Sequence, residues 1–525
     1  MRRALLRRAL ALALAVAPVG CGEPEARRTF IVVGVDGAEW SVIERLWEVG
    51  RLPHLRRLAE RGVHAHLETA YGKSPVIWTT IATSQPPEVH GITGFVARTE
   101  EGDVPVSSAM RRAPALWSVL TRFDRPIAVL GWYATWPAER VSGLMVTDHV
   151  VRAGLERRVS PDERLAEIDA RLARVRALPD EALYPLRDAG VGPPGERDAL
   201  FEQLAPEVAT GGYELVLVYF RSVDEVSHRH WKYWEPEKFR DREPQRSFDE
   251  AELAERRDWI PATYERVDRA VGELVAAAPD ANLLVISDHG FRSADHLRVT
   301  MDFDALLERL GYLRREGTVV DRHGSLAFAV ETVGHLPLKR ARLVRGSGGA
   351  GPGPEEVEAT RRRLEEDLGR LRFASGRPVF EIRQPPEDST ADVEARLLLA
   401  GVTATLTLDG RPIDGVIEAI EHYSGGHPVD ADGIFVAAGP DLDPAADPTG
   451  ISIHDVAPTL LYGLGLPLAE DFSGRAWREL FTAAARQELP LRTIASYGTT
   501  ADGEALASEA DEEILDELRA LGYLD

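Results

Sequence analysis

Five short, uninterrupted apolar runs constrain the fold of this chain more than any other feature of its sequence. They are Phe30–Val35, Ile127–Leu130, Leu215–Phe220, Leu283–Ile286 and Ile434–Ala437. A strand that is apolar on both faces is typical of a parallel sheet covered on both sides, because neither face meets water. Helix-like stretches separate the runs, for example Ala115–Thr121, Ile260–Ala277 and Asp455–Leu464. This alternation predicts an α/β fold with a mostly parallel central sheet flanked by helices.

The alternation is interrupted between about residues 301 and 424. This segment contains a Gly/Pro-rich patch (Gly346–Pro354), a charged helical stretch (Glu355–Arg370) and short strand-like runs. We therefore expect residues 301–424 to form a smaller α+β insertion, and residues 27–300 and 425–485 to form the α/β core. Residues 486–525 are expected to form a C-terminal tail that ends in a helix.

The first 20 residues have the pattern of a signal peptide. Four arginines lie within its first eight residues, and the apolar run Ala9–Val19 that follows is too short to span a bilayer. The only cysteine, Cys21, comes next, and the segment Pro18–Cys21 is similar to a bacterial lipoprotein cleavage site. We expect an exported protein of the periplasm or cell envelope that is attached to the membrane through lipidated Cys21. A plain signal peptide that is cleaved nearby is the alternative.

Aspartate and histidine residues cluster where the predicted strands end. Because ligands of open α/β sheets bind beyond the carboxyl ends of the strands, we expect these clusters to meet at one edge. They contribute three carboxylates and three imidazoles, namely Asp36, Asp224, His228, Asp288, His289 and His427. This combination of side chains suits two zinc-like ions about 4 Å apart.

Ser74 is the candidate nucleophile. The dipeptide Ser74-Pro75 precedes a helix-like run, so we expect Ser74 to cap that helix with proline at the first helical position. A helix N-terminus stabilises anions, and a metal ion lowers the pKa of a bound hydroxyl group. Thr79 and Thr80, inside the predicted helix, are the alternative nucleophiles. Substrate contacts are expected from three further residues, Lys73, Trp231 and Trp234.

This pattern resembles the type I phosphodiesterase/nucleotide pyrophosphatase family of the alkaline phosphatase superfamily. The similarity extends over most of residues 29–300 and 424–480. It is carried by the cluster residues in their order along the chain, by Gly290, and by Pro87–Ile92, Gly131–Pro137 and His454–Thr459. In the family, the nucleophile lies nine residues before a threonine, and counting back from Thr83 gives Ser74.

The resemblance implies an alkaline-phosphatase-like fold and two zinc ions. One ion would be held by Asp36, Ser74, Asp288 and His289, and the other by Asp224, His228 and His427. Nucleotide-cleaving members often carry an asparagine three residues after the nucleophile, where it contacts a phosphate oxygen. Ile77 occupies that position here, which argues against nucleotide pyrophosphatase activity as such.

These features together predict a metal-dependent hydrolase that cleaves small phosphate esters, most readily diesters, through a covalent phosphoserine. A phosphomonoesterase or a phospho-group transferase acting on envelope glycans or lipids is the alternative within the enzyme class. A catalytically idle surface protein that only binds metal is the alternative from another class. The formal net charge of −23 opposes binding to nucleic-acid duplexes, whose phosphate backbones favour a basic face.

Overall fold

The computed structural model describes residues 28–99, 102–190, 192–242, 246–316, 319–321, 324–330, 338–345, 352–386 and 389–500, together with residues 508, 510, 511, 514 and 515. The predicted leader, Cys21 and most of the predicted terminal helix lie outside the described residues. Among the described residues, no helix is long and apolar enough to cross a membrane.

The strands of the described part of the chain are β1 (Phe30–Val35), β2 (Val63–Leu67), β3 (Val96–Thr99), β4 (Gly102–Pro105), β5 (Ile127–Leu130), β6 (Gly143–Val146), β7 (Val159–Ser160), β8 (Leu215–Phe220), β9 (Asn282–Ile286), β10 (Arg292–Met301), β11 (Arg315–Glu316), β12 (Val319–Val320), β13 (Ala327–Ala329), β14 (Leu338–Leu343), β15 (Arg372–Phe373), β16 (Phe380–Arg383), β17 (Val393–Leu397), β18 (Leu406–Leu408), β19 (Arg411–Ile413), β20 (Ile417–Gly426), β21 (Gly433–Ala438), β22 (Leu468–Ala469) and β23 (Thr493–Ile494).

The α-helices of the same residues are α1 (Trp40–Glu48), α2 (Pro53–Arg61), α3 (Ser74–Thr83), α4 (Pro87–His90), α5 (Leu116–Arg122), α6 (Leu165–Arg176), α7 (Asp180–Leu183), α8 (Pro193–Ala209), α9 (Ser222–Trp234), α10 (Glu250–Arg256), α11 (Trp259–Ala277), α12 (Phe303–Arg309), α13 (Pro354–Arg370), α14 (Val456–Gly463) and α15 (Ala483–Glu488).

An eight-stranded sheet forms the centre of the fold, in the order β2-β21-β9-β1-β8-β5-β6-β7. Neighbouring strands from β9 to β6 are parallel, whereas β21, β2 and β7 pair antiparallel with their neighbours. All six residues of β1 are buried, as are all six of β8. The predicted mostly parallel sheet is therefore confirmed, with antiparallel strands at its two margins.

Helices cover both faces of this sheet. One apolar cluster packs α1, α2, α8, α9 and α11 against one face, and a second packs α3, α5 and α14 against the other. The two clusters use alternate residues of the same strands, for example Ile31 and Val33 on one face and Phe30 and Val32 on the other. This double coverage explains why the central strands are apolar at every position.

A two-stranded ribbon of β10 and β20 leads away from the edge of the sheet. The two strands pair antiparallel from Arg292↔Gly426 to Met301↔Ile417. Beyond it, the described residues of the segment predicted as an insertion form small antiparallel sheets, β13-β14-β17-β16 and β15-β18-β19. These sheets enclose an apolar cluster of their own, which also contains residues of the ribbon and of helices α12 and α13.

Candidate active site

The candidate residues meet at one edge of the sheet. Asp36 directly follows β1, Asp288 follows β9 after one residue, and Asp224 lies in the first turn of α9, just after β8. Because β21 is antiparallel to β9, its first residue lies at this same edge, and His427 precedes it between β20 and β21. The loop after β2 brings Ser74 there as well, since Leu67 at the end of β2 pairs with Gly433.

Two overlapping groups of side chains have ligand atoms close enough to hold a metal ion. Asp36, Asp288 and His289 form one group, and Asp224, His289 and His427 form the other; within each group the ligand atoms lie within 4.8 Å of one another. His228 adjoins the second group, because its Nε2 lies 3.3 Å from Asp224 Oδ1. All seven residues predicted as metal ligands, Ser74 included, therefore lie in one cluster, and His289 is shared between its two halves.

The imidazoles are oriented as metal ligands usually are. Nδ1 of His289 lies 3.0 Å from the carbonyl oxygen of Gly290, and Nδ1 of His228 lies 3.0 Å from that of Gly425. A carbonyl only accepts, so each Nδ1 must donate, which leaves Nε2 to face carboxylate oxygens. For His289 these oxygens are Asp288 Oδ2 at 3.3 Å and Asp36 Oδ1 at 3.4 Å. A carboxylate oxygen cannot donate, so these atoms need a positive charge between them, supplied by a proton on Nε2 or by a metal ion, and the residues present fit a divalent metal.

The pKa shifts of the buried side chains also indicate that this cluster lacks positive charge. Burial, reinforced by the neighbouring Asp36, raises the pKa of Asp288 well above its usual range. Burial alone would lower the pKa of His289, but the carboxylates of Asp288 and Asp36 outweigh it and raise that pKa to about 10. Burial, together with His289 and His228, lowers the pKa of His427 well below its usual range. Divalent ions would supply the positive charge that these shifts show the buried cluster to lack.

Ser74 lies within reach of this cluster. Its Oγ is 3.2 Å from Asp36 Oδ1 and 3.3 Å from His289 Nε2, and the residue is buried. The predicted helix cap is wrong by one residue: Lys73 is the N-cap, Ser74 is the first helical residue and Pro75 the second. The amides of Val76 and Ile77 bond to the Lys73 carbonyl, so the Ser74 hydroxyl is not used to cap the helix and points into the cluster.

The alternative nucleophiles are occupied within helix α3. The hydroxyl of Thr79 donates to the Pro75 carbonyl at 2.7 Å, and that of Thr80 donates to the Val76 carbonyl at 2.9 Å. Both side chains are buried along the helix rather than at its N-terminus. Of the three hydroxyl groups considered, that of Ser74 is the one with short distances to the Asp and His cluster.

The residues expected to contact substrate lie in different surroundings. Trp231 is 2% exposed and stacks on Phe291 with ring centroids 5.2 Å apart, so it belongs to the core and not to a cleft wall. Its apolar ring is buried because helix α9 turns this side toward the ribbon. Trp234 ends α9, and the Arg45 guanidinium lies 4.0 Å from its ring. Lys73 is exposed, with its ammonium group lying against Gly94.

Three residues that support the cluster were not identified from the sequence. Tyr219 donates a hydrogen bond to Asp36, and Phe291 places its ring 4.9 Å from that of His228 and 5.9 Å from that of His427. Glu39 accepts a hydrogen bond from the Phe291 amide at 2.9 Å. A Cβ on Gly290 would lie 2.4 Å from the Glu39 carboxylate and 2.7 Å from the Asp432 backbone oxygen, so this close approach requires glycine. The short spacing from Asp36 to Glu39 was the available signal.

Comparisons with known proteins give the family. Residues 30–372, well over half of the chain, match the family described as type I phosphodiesterase / nucleotide pyrophosphatase. No curated protein was found to match the sequence.

Similar solved structures include phosphonoacetate hydrolase from Sinorhizobium meliloti 1021 in complex with phosphonoformate (17% identity, TM-score 0.41, covering 83% of this chain and 95% of that one). They also include murine ectonucleotide pyrophosphatase / phosphodiesterase 5 (16%, TM-score 0.42, covering 87% and 100%). The human form of the latter is 14% identical with a TM-score of 0.40, over the same shares of each chain. Because these likenesses are low, the assignment rests on the family match. The chain belongs to the type I phosphodiesterase/nucleotide pyrophosphatase family, and it is a phosphoric ester hydrolase.

Proposed function

We propose that this protein hydrolyses phosphodiesters at a two-zinc centre, with Ser74 as the nucleophile. The observation that carries the proposal is the position of the Ser74 hydroxyl, 3.2 Å from Asp36 and 3.3 Å from His289 at the first residue of a buried helix. A hydroxyl at that position is close to both a candidate metal group and the positive end of a helix dipole.

The ligands divide between two ions in this proposal. Asp36, Ser74, Asp288 and His289 would hold one ion, and Asp224, His228 and His427 would hold the other. Bound zinc would supply Lewis-acid stabilisation of the anionic phosphate and would favour the alkoxide form of the serine. The three carboxylates and one serine alkoxide balance two divalent cations, which leaves the site able to accept an anionic ester.

The chain's own groups account for binding and bond exchange. The positive end of the α3 dipole would favour an anionic phosphate that lies against Ser74, although the amides of Val76 and Ile77 are already bonded to the Lys73 carbonyl. Ser74 Oγ forms a bond to phosphorus as the bond to one ester oxygen breaks, and that oxygen leaves as an alcohol with a proton. The intermediate is a serine phosphodiester that keeps the second ester group, and attack of water on its phosphorus releases a phosphate monoester and restores the hydroxyl. The net reaction consumes one water for each diester cleaved.

The test is hydrolysis by the purified protein, with metal analysis of the same preparation. We expect about two zinc ions per chain, since the proposed ligands make two groups. We also expect cleavage of bis(p-nitrophenyl) phosphate that a chelator abolishes and added zinc restores. An active preparation without bound metal would contradict the metal centre. Faster cleavage of p-nitrophenyl phosphate than of the diester would contradict the assignment to diesters.

A further inference from the structure

Tyr219 lies beneath Asp36 in the centre of the sheet. It is the fifth residue of β8, the strand that pairs with β1, and its side chain is fully buried. Its hydroxyl donates a hydrogen bond to Asp36 Oδ2. Among the described residues, this phenol is the side-chain donor to that oxygen, whereas Ser74 is the donor to Oδ1.

Aromatic neighbours fix the Tyr219 ring. Trp78 meets it edge-on with centroids 4.9 Å apart, and Trp132 and Tyr133 lie 6.3 and 6.1 Å away. A ring held on several sides in a close-packed core has one accessible orientation. The hydroxyl is therefore a fixed point against which the carboxylate of Asp36 is aligned.

The two oxygens of Asp36 consequently have separate partners. Oδ2 is engaged by Tyr219, while Oδ1 lies 3.2 Å from Ser74 Oγ and 3.4 Å from His289 Nε2. If both oxygens could rotate freely, the carboxylate could bind a cation through either or both. The hydrogen bond from Tyr219 leaves Oδ1 as the oxygen directed at the nucleophile.

We propose that Tyr219 is a positioning residue, which acts through Asp36 and makes it present one oxygen to the metal beside Ser74. This inference rests on the proposed two-metal function. Groups that hydrogen-bond to a metal ligand orient it, and their loss commonly weakens metal binding by about 10- to 100-fold. The effect should be confined to the ion that Asp36 holds, because the Tyr219 hydroxyl donates to Asp36, which belongs to one of the two groups.

The experiment compares Tyr219→Phe with Tyr264→Phe in the full chain. Tyr264 is a matched control because it is also buried, and its hydroxyl accepts a hydrogen bond from the Glu39 amide at 3.0 Å instead of contacting a carboxylate. Each metal-free protein is titrated with zinc against a chromogenic chelator. We expect Tyr219→Phe to bind one of about two ions 10- to 100-fold more weakly and the other unchanged, and Tyr264→Phe to match the wild type.

Other outcomes separate the possible failures. Wild-type affinity for both ions in Tyr219→Phe overturns this inference and leaves the proposed function intact. Equal losses in the two variants also overturn it, since they would reflect packing. No zinc binding by the wild type refutes the metal centre, and this inference with it.

A double substitution provides a second readout that does not depend on one variant alone. If Tyr219 acts through Asp36, then Tyr219→Phe should weaken zinc binding little further in an Asp36→Asn background, because coupled residues are not additive. Losses that multiply in the double variant would mean that the phenol acts independently of Asp36 and would overturn the proposal.

Discussion

Replacing Ser74 by alanine removes one hydroxyl group from the candidate site, and the structure gives the expected effect on stability. The hydroxyl oxygen lies 3.2 Å from Asp36 Oδ1 and 3.3 Å from His289 Nε2, both long for hydrogen bonds, and it caps no helix amide. Asp36 keeps its bond from Tyr219 in the variant. Loss of the two Ser74 contacts costs about 0.5–1.5 kcal/mol of unfolding free energy for each, so the variant should fold.

The effect on the rate should be much larger. If Ser74 forms the covalent intermediate, its loss should lower kcat by about 10³-fold or more, which corresponds to roughly 4 kcal/mol or more of activation free energy. Comparing the change in unfolding free energy with the change in kcat identifies the role of Ser74, because replacing a merely structural residue would lower stability and activity together. Ser74→Thr, which keeps a hydroxyl group, should retain part of the activity.

Thr79→Ala is the matched control. Thr79 is as deeply buried as Ser74 and lies in the same helix, but its hydroxyl bonds to the Pro75 carbonyl. The three variants and the wild type are compared by urea unfolding and by initial rates on bis(p-nitrophenyl) phosphate, and acid-quenched samples are searched by mass spectrometry for Ser74 carrying a p-nitrophenyl phosphate group. Near wild-type turnover by Ser74→Ala, with loss of turnover in Thr79→Ala, would refute the reasoning.

Three further outcomes are expected. His427→Ala should lower the zinc content from about two ions toward one, measured by elemental analysis, because it removes an imidazole from one group; an unchanged content would contradict its role. In metal-free protein, the pKa of His289 is raised on folding from about 6.5 to about 10. The stability that protonated His289 contributes is therefore present below a pH of about 6.5 and is lost as the pH rises toward about 10. In the presence of a chelator, the urea concentration at the unfolding midpoint should fall across that pH range, and it should fall less in His289→Asn. Cys21→Ser should abolish labelling by radioactive palmitate in a bacterial host; persistent labelling would exclude lipidation at Cys21.

Much of the sheet was predictable because burial on both faces leaves a clear pattern. The runs at Phe30–Val35, Ile127–Leu130 and Leu215–Phe220 have the same limits as the strands β1, β5 and β8. The run at Ile434–Ala437 is also predicted as a strand, but its antiparallel direction is not. An apolar run has the same pattern whether the strand is parallel or antiparallel to its neighbour. Strand direction depends on the connection through the ribbon, which local sequence does not specify.

The site was predictable to the extent that its residues follow strands. Asp36, Asp288 and His289 lie at strand ends in chain order, so their convergence follows from a parallel sheet. Helix α3 begins one residue earlier than predicted, at Ser74 itself, because the sequence near a helix end specifies its exact limit only weakly. Trp231 was expected in the cleft, but the side of α9 that carries it packs on Phe291. Which neighbour a helix face meets is decided by tertiary packing.

The ribbon of β10 and β20 has a consequence for how proteins of this design can diversify. It begins three residues after His289 and ends one residue before His427, and its far end brings Met301 and Ile417 together as paired residues. Paired strands lie only about 5 Å apart, so a tight turn could join these two positions in place of everything between them. All seven candidate ligand positions precede or follow that junction. If the segment between them is an insertion, as we predict, it could be shortened, enlarged or exchanged while the sheet edge that carries the chemistry keeps its sequence and its spacing.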